Sequence, residues 1–256
     1  MSENTVAQGQ NSLVWMKKIT KKFGTITALQ DVDFGVEKAE VRALLGDNGA
    51  GKSTLIKVLM GVHQPTSGQI YFEGKPVRIR SPREARETGI EAVYQDLALV
   101  NLMSISRNFF LGREMTKKAG PFSFLDGKRM ESICQTSLQD IGIEIRSPSE
   151  RVGSLSGGER QSIAIGRAVH FGVKVLILDE PTSALSVAET RKVLSYIENA
   201  RERQLAVIFI THNVHQVYQV ADSYTIIRQG HNIGTYRKGD LSEEDIADLI
   251  TGAREC

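Results

Sequence analysis

The sequence has little cysteine and no long hydrophobic run. Its two cysteines, Cys134 and Cys256, are far apart in a chain of 256 residues. Such cysteines form neither a disulfide framework nor a metal-binding cluster, and they favour a reducing compartment. The longest apolar runs, such as VLIL and AVIFI, are much shorter than the ~20 residues that a membrane-spanning helix needs. We therefore expect any work at a membrane to depend on recruitment by a partner.

A strong net charge and a targeting segment are also missing. The formal net charge of +2 is too small to indicate a nucleic-acid partner. The N-terminal stretch MSENTVAQGQNS has neither a basic region nor an apolar region, so it does not resemble a signal peptide. We expect residues 1–12 to form a disordered polar tail. The remaining composition, 41% hydrophobic and 24% charged, is typical of a globular protein.

The hydrophobic pattern predicts an α/β fold. Val32, Phe34 and Val36 alternate with polar residues, which indicates a half-buried strand, and VRALL at 41–45 is typical of a central strand. After residue 172 the apolar runs VKVLILD, LAVIFIT and SYTIIRQ are separated by helices predicted to begin at Ser186 and Asn213. This alternation favours a mostly parallel sheet that is covered on both faces.

The middle of the chain has a different character. Met130, Cys134 and Leu138 have helical spacing, whereas KKAGPFSFLDG is predicted to be a loop because of its glycines and proline. We interpret residues from about 97 to 165 as a helical insert. The predicted organisation is one nucleotide-binding domain over residues 13–256 that contains this insert.

A glycine-rich stretch after the strand VRALL fits the phosphate-loop pattern G-x-x-x-x-G-K-[ST]. Its glycines allow the backbone to wrap around phosphate, and its N–H groups point at the anion from the start of the next helix. Lys52 is predicted to contact the β- and γ-phosphates, and the Ser53 hydroxyl is predicted to bind Mg²⁺. The predicted nucleotide-binding residues of this loop are Gly46, Asp47, Asn48, Gly49, Ala50, Gly51, Lys52, Ser53 and Thr54.

Polar residues follow three other apolar strands. VLILDE runs from a buried strand into Asp179 and Glu180, and strand ends of a parallel sheet meet at one edge. Asp179 is predicted to hold Mg²⁺, and Glu180 is predicted to accept a proton from the attacking water. His212 follows LAVIFIT, where it could bond the γ-phosphate or be structural. Gln95 follows EAVY and could bind Mg²⁺ or water, or could simply end the strand.

A second glycine-bearing turn, LSGGERQ at 155–161, lies about 100 residues after the phosphate loop and lacks a lysine for the phosphates. If it belongs to the helical insert, it is better placed to serve a nucleotide that is held by another subunit. Each chain then builds half of two sites, and a symmetric dimer completes both. The residues predicted to face the partner's nucleotide are Ser156, Gly157, Gly158 and Glu159.

From about residue 13 onward the sequence resembles the ATP-binding subunits of ABC transporters. GDNGAGKST resembles the Walker A loop, YQD the Q-loop, LSGGERQ the signature and LILDEP the Walker B strand, while TH carries the switch histidine. In such proteins an aromatic residue ahead of the core stacks on adenine, and Phe23 in KKFGTITAL matches it. The resemblance implies catalytic roles for Gln95 and His212 beside Glu180, and an Mg²⁺ held by Ser53, Gln95 and Asp179.

The same resemblance implies partners and a location. An ATPase of this kind uses ATP and Mg²⁺ as a homodimer, binds integral-membrane permease subunits and works with an external sugar-binding protein. It lies peripherally on the cytoplasmic face of the inner membrane and needs no nucleic acid. The implied fold is that of a P-loop nucleotide hydrolase with an antiparallel N-terminal β part.

A finer resemblance is to bacterial importers of ribose, xylose and fructose. VYQDLALVNLMSISRNFFLGRE, GKPVRIRSPREARETGI and LSEEDIADLITG are similar to stretches of those proteins. The chain has one nucleotide domain, as in the single-domain fructose import subunit, so we expect import of a monosaccharide such as fructose or ribose. Where many relatives have aspartate after SAL, this chain has Ser186. Ser186 with Glu189 still forms a capping-box pattern, which preserves a helix start.

Other functions share these motifs. An importer of another small solute and an exporter use the same core chemistry. Chromosome-organising and DNA-repair ATPases separate Walker A from the signature by long coiled coils, which this chain lacks. Ribosome-bound translation factors of this kind usually carry two fused ATPase units and a strongly basic character, and both are absent here.

Overall fold

A computed structural model describes residues 12–253. They divide into two compact units. The first unit contains the residues up to Ala92, Val173–Glu180 and the residues from Ala200, and the second contains Val93–Gly172 and Pro181–Asn199. In chain order the elements are β1 (Val14–Phe23), β2 (Ile26–Val36), β3 (Val41–Leu45), α1 (Lys52–Leu59), β4 (Ser67–Phe72), β5 (Lys75–Val77), α2 (Pro82–Thr88), β6 (Ile90–Val93), α3 (Ile105–Phe109), β7 (Thr116–Ala119), β8 (Phe122–Leu125), α4 (Gly127–Asp140), a 3₁₀ turn (Val152–Ser154), α5 (Gly157–His170), β9 (Val175–Asp179), α6 (Val187–Glu202), β10 (Ala206–Ile210), α7 (Val214–Val220), β11 (Ser223–Arg228), β12 (His231–Arg237) and α8 (Glu243–Thr251).

The largest sheet has six strands in the order β12-β11-β3-β10-β9-β6. β3 pairs in parallel with β10 and β11, and β10 pairs in parallel with β9, whereas β12 is antiparallel to β11. Every residue of β3 and β10 is buried, as expected for strands of a parallel sheet that is covered on both faces. The predicted α/β class is confirmed.

A second sheet is antiparallel and has the order β2-β1-β4-β5. The alternating residues Val32, Phe34 and Val36 of β2 are all buried. They pack in one hydrophobic cluster with residues of α1 and of β10, including Leu55 and Ile208. The N-terminal antiparallel part of the fold therefore shares the core of the first unit.

The second unit contains helices α3 to α5 and most of α6. Met130, Cys134 and Leu138 of α4 lie buried in one cluster with Ile163 of α5, as the helical spacing predicts. Burial raises the pKa of the Cys134 thiol to about 12, which keeps this side chain an uncharged core residue.

One prediction for the second unit was wrong. The stretch KKAGPFSFLDG, predicted to be a loop, contributes to the β7–β8 hairpin, in which Lys117 pairs with Phe124 and Lys118 with Ser123. Gly120, with φ of +62°, lies in the tight turn. The glycine and proline mark this turn, and the alternating Phe122 and Phe124 form the strand after it.

The predicted disordered tail lies almost wholly outside the described residues. Its last residue, Ser12, is described and is buried. Within residues 12–253 no helix is long and apolar enough to cross a membrane.

Candidate nucleotide site

The polar residues predicted from the first unit's strand ends lie at one edge of the parallel sheet. Leu44 of β3 and Asp179 of β9 both pair with Ile210 of β10. The phosphate loop follows β3, Glu180 follows β9, and His212 follows β10 by two residues. Because these neighbouring strands are parallel, their carboxyl ends bring the three groups to the same edge.

The phosphate loop depends on glycines that no larger residue could replace. Gly46 has φ of +152°, and an added Cβ would overlap the Ile227 carbonyl oxygen. Gly51 has φ of +111° and directly precedes α1; a Cβ there would lie 2.9 Å from the Ala28 carbonyl oxygen. The close approach of neighbouring backbone, together with the left-handed angles, explains this use of glycine.

Lys52, the first residue of α1, points back into this loop. Its Nζ donates hydrogen bonds to the carbonyl oxygens of Gly46 at 2.6 Å and Asp47 at 3.0 Å. The residue is only 7% exposed. Burial lowers the Lys52 pKa, while the nearby carboxylates, Glu180 foremost, oppose the shift. The structure therefore holds a buried amine where the loop would enclose phosphate.

The carboxylates beyond β9 have different surroundings. Burial raises the pKa of Asp179, with a further contribution from Glu180, and Lys52 opposes the shift. Glu180 adopts the left-handed region with φ of +49°, and its N–H donates to the Ile210 carbonyl at 2.9 Å. A non-glycine residue with this angle costs about 1–3 kcal/mol and persists only where the surrounding structure holds it.

Glu180 is held by the residues that follow β10. The Thr211 hydroxyl donates to Glu180 Oε2 at 3.0 Å, and the His212 N–H donates to Oε1 at 3.2 Å. His212 Nδ1 also forms a hydrogen bond with Oε1 at 2.8 Å. The carboxylate is thus fixed by three contacts, and two of them come from the histidine that the sequence singled out.

Phe23 ends β1 and is 43% exposed. Its ring meets His63 edge-on with the centroids 5.1 Å apart, and the Lys21 ammonium lies 4.8 Å from its centroid. A half-exposed ring that is steadied by two neighbours can still offer a face for stacking. This arrangement suits the predicted adenine contact, which remains a prediction.

The LSGGERQ turn lies in the second unit, where Ser156 caps α5. The Glu159 N–H donates to Ser156 Oγ at 3.2 Å, and the Ser156 N–H donates to Glu159 Oε2 at 2.8 Å. Glu159 therefore completes a capping box in this conformation. Gly157 and Gly158 form the first turn of α5, at the N-terminus that was predicted to face phosphate.

Glu189 contacts this turn, a feature that sequence reasoning missed. The Gly158 N–H donates to Glu189 Oε1 at 3.1 Å. The Ser186 N–H and hydroxyl donate to Glu189 Oε2 at 3.0 and 2.8 Å. These hydrogen bonds lower the pKa of Glu189 to about 2, and the bonds from Ser186 have the largest effect. The predicted capping box of Ser186 and Glu189 is confirmed, and its carboxylate also binds the signature turn.

Gln95 is exposed and lies two residues after β6, in the second unit. Its role stays a prediction. Thr211 was not anticipated, because a threonine at the end of an apolar strand carries no signal beyond strand propensity. Glu189 was anticipated only as a helix cap, since its contact with Gly158 joins residues 31 positions apart.

The donors around the phosphate loop suit a magnesium ion. Ser53 is exposed in the first turn of α1, and Asp179 is half-buried at the end of β9. Among the described residues no group of three or more His, Cys, Asp or Glu side chains is placed to hold a metal. Mg²⁺ needs no such group, because it is usually bound by one or two protein oxygens together with phosphates and water.

A P-loop at the carboxyl edge of a parallel sheet, with a buried lysine and a fixed carboxylate, defines a nucleotide-binding α/β protein. The profile of the ABC transporter family matches residues 29–183. The chain belongs to this family.

Two curated relatives match over nearly their whole length. The xylose/arabinose import ATP-binding protein of Sulfolobus acidocaldarius is 44% identical, over 94% of both chains. The fructose import ATP-binding protein of Rhizobium meliloti is 43% identical, over 96% of both. Among solved structures, an ATP-binding cassette of an ABC transporter in its ADP conformation is similar, with 25% identity, a TM-score of 0.78 and coverage of 94% and 95% of the two chains.

Proposed function

We propose that the protein is the ATP-hydrolysing subunit of a membrane importer for a monosaccharide. The observation that carries the ATPase part is the Glu180 carboxylate, which His212 and Thr211 hold at the sheet edge that also bears the phosphate loop. The sugar part rests on the names of the relatives, which are importers of xylose or arabinose and of fructose.

In the proposed reaction Lys52 exchanges its bonds to the Gly46 and Asp47 carbonyls for the β- and γ-phosphate oxygens of ATP. The loop N–H groups and the start of α1 bind the same phosphates. Phe23 stacks on adenine. Ser53 and Asp179 are the residues that would hold Mg²⁺, which neutralises phosphate charge when bound.

Glu180 accepts the proton of the attacking water. Its contacts with Thr211 and His212 orient the carboxylate, so that little reorganisation is needed when the water arrives. His212 has a largely exposed side chain, which leaves it able to reach the γ-phosphate.

The signature turn completes a site on a second copy of the chain. Ser156 and the Gly157 N–H would meet the partner's γ-phosphate, and the Gly158 N–H would exchange its bond to Glu189 for the same phosphate. The same contact repeated by symmetry gives two equal sites. ATP then closes the dimer and hydrolysis reopens it. A membrane permease follows this motion and takes sugar from an external binding protein, with the ATPase on the cytoplasmic face of the cell membrane.

The test is uptake of labelled pentoses and hexoses in a strain that lacks this gene and any redundant importer. We expect loss of one or a few sugars, restored by the wild-type chain and not by Lys52→Ala. Unchanged uptake of every sugar would reject sugar import and leave the ATPase chemistry standing. Restoration by Lys52→Ala would instead reject ATP binding at this loop.

A further inference from the structure

The β7–β8 hairpin exposes large apolar side chains. Phe122 and Phe124 are 66% and 52% exposed, and Leu125 is exposed as well. β7 and β8 form a separate two-stranded sheet. A two-stranded hairpin is only marginally stable in water, and clustered exposed apolar side chains on such an element indicate that something covers them.

The pairing of the strands places the two phenylalanines on one face of the hairpin and Leu125 on the other. Phe122 and Phe124 are two residues apart on β8, so both point to the same side. Their ring centroids lie 6.3 Å apart. Lys117 pairs directly with Phe124, and directly opposite residues share a face. We call Lys117, Phe122 and Phe124 the aromatic face.

The surroundings of the aromatic face are basic. Residues 113–129 contain five basic and two acidic side chains, a net charge of +3. Both acidic side chains accept hydrogen bonds from nearby backbone N–H groups, Glu114 from Gly112 and Asp126 from Arg129. The basic members are Arg113, Lys117, Lys118, Lys128 and Arg129, all of them exposed.

We propose that the aromatic face docks on the headgroup region of a membrane that contains anionic phospholipid. Aromatic rings prefer this interface, and neighbouring lysines extend their ammonium groups to lipid phosphates while their stems lie on apolar surface. The cytoplasmic loops of a permease are a poorer match in charge, because such loops carry an excess of lysine and arginine. The inference uses the proposed function only to bring the chain to a membrane.

The experiment is co-sedimentation of the full chain with vesicles, without nucleotide. One set contains phosphatidylcholine alone, and the other contains phosphatidylcholine with phosphatidylglycerol. We expect binding to the anionic vesicles, weakened by salt and reduced roughly tenfold or more by the double change Phe122→Ser with Phe124→Ser. Lys117→Glu with Lys118→Glu should reduce it similarly. The controls Ile26→Ser, which alters another exposed apolar residue at 69% exposure, and Lys75→Glu on β5 should bind like the wild type.

A tryptophan reporter separates insertion from charge attraction. The single native tryptophan, Trp15, is buried, so added Phe122→Trp supplies a distinct signal. We expect its emission to shift to the blue with anionic vesicles. Equal binding by the hairpin variants and the wild type, or no shift, would overturn the proposal. The proposal would also be overturned if the hairpin promoted binding only to vesicles that carry the permease. That result would assign the aromatic face to a protein partner.

The membrane-docking proposal and the proposed function can be rejected independently of each other. The vesicle test needs neither ATP nor transport, so a negative result leaves the ATPase and its sugar unaffected. Nucleotide binding by the hairpin variants, which we expect to match the wild type, shows that any loss of vesicle binding is not loss of the fold. Conversely, unchanged sugar uptake in the deletion strain would not alter the vesicle result.

Discussion

Lys52 is the single side chain of the phosphate loop on which we expect ATP affinity to depend most. We expect Lys52→Ala to raise the dissociation constant for ATP by ~100-fold, because hydrogen bonds to a charged group contribute about 1.5–3 kcal/mol and about 1.4 kcal/mol corresponds to a factor of ten. The measurement is titration with a fluorescent ATP analogue.

Lys75→Ala is a control for this change, since it removes an exposed lysine from β5 of the same unit. It should bind ATP like the wild type. Circular dichroism checks that Lys52→Ala stays folded despite losing its bonds to Gly46 and Asp47. Affinity within threefold of the wild type in the folded variant would contradict the role of Lys52.

Ser186 directly precedes α6, and the structure shows what its hydroxyl does. The Ser186 Oγ accepts from the Glu189 N–H at 3.3 Å and donates to Glu189 Oε2 at 2.8 Å. We expect Ser186→Ala to destabilise the chain by about 1 kcal/mol, the usual effect of losing an N-cap. Ser186→Asn retains a capping oxygen, so it should lower the free energy of unfolding by only a small part of that amount.

Urea unfolding measures both Ser186 variants. Ser195→Ala serves as the matched control, because this exposed serine lies inside α6 and its hydroxyl donates to the Lys192 carbonyl of the same helix. If Ser186→Ala is no less stable than Ser195→Ala, the hydroxyl is not a significant cap.

The roles of some residues can be predicted from the sequence, whereas the roles of others cannot. The phosphate loop was predictable because its glycines and lysine occur at a spacing that backbone geometry imposes. Two hydrogen bonds were not predictable: the one from Thr211 to Glu180 and the one from Gly158 to Glu189. In each case the partners are 31 positions apart in the sequence. Only the folded chain brings them together.

Among the elements, α5 ends at a histidine that should make stability depend on pH. His170 packs against Phe109, Phe110 and Phe171, and its Nδ1 forms a 2.8 Å hydrogen bond with Ser137 Oγ. Burial, and secondarily Arg113, lowers its pKa below 6.5. The unfolded chain therefore binds the proton more readily, so this contribution is present above pH ~6.5 and is lost as the pH falls through the lowered folded value.

We expect the wild type to lose stability in urea from neutral pH down to mildly acidic pH. His170→Phe should lose less over the same range, because it keeps an aromatic ring in the cluster and cannot be protonated. His231→Gln, which removes an exposed histidine from β12, is the control for loss of a histidine as such. Equal slopes for the wild type and His170→Phe would contradict the expectation.

Helices and strands were predictable where one hydrophobic periodicity dominates the segment. The fully apolar β3 and β10 and the helically spaced α4 formed as predicted, because burial on both faces or along one stripe leaves a regular pattern. The β7–β8 hairpin was wrongly predicted as a loop. Its strands are four residues long, too short for the alternation to outweigh the glycine and proline of the turn.

For the whole molecule, Glu180→Gln should separate ATP binding from hydrolysis. The amide can still bond Thr211 but cannot accept the proton of the attacking water. We expect the hydrolysis rate to fall by at least ~100-fold, with ATP trapped in a stable dimer. Size-exclusion chromatography with light scattering, with and without ATP, measures this dimer.

Adding Ser156→Arg to Glu180→Gln tests how the dimer forms. A bulky cation in the signature turn should prevent closure on the partner's nucleotide, while each chain still binds ATP at its own loop. Hydrolysis by Glu180→Gln at the wild-type rate would show that Glu180 is not the base. A dimer that persists with Ser156→Arg would show that the signature turn does not form the interface.

The amino-acid pattern alone was enough to identify the family, the α/β class and the phosphate loop, because these depend on local spacing and on the burial of regular apolar runs. The tertiary structure alone decided how Glu180 is held and that Glu189 already occupies the Gly158 N–H. It also decided that two phenylalanines of a presumed loop share one exposed face. Such features depend on which strand ends and helix starts become neighbours, and a linear pattern does not record distances between residues far apart in the chain.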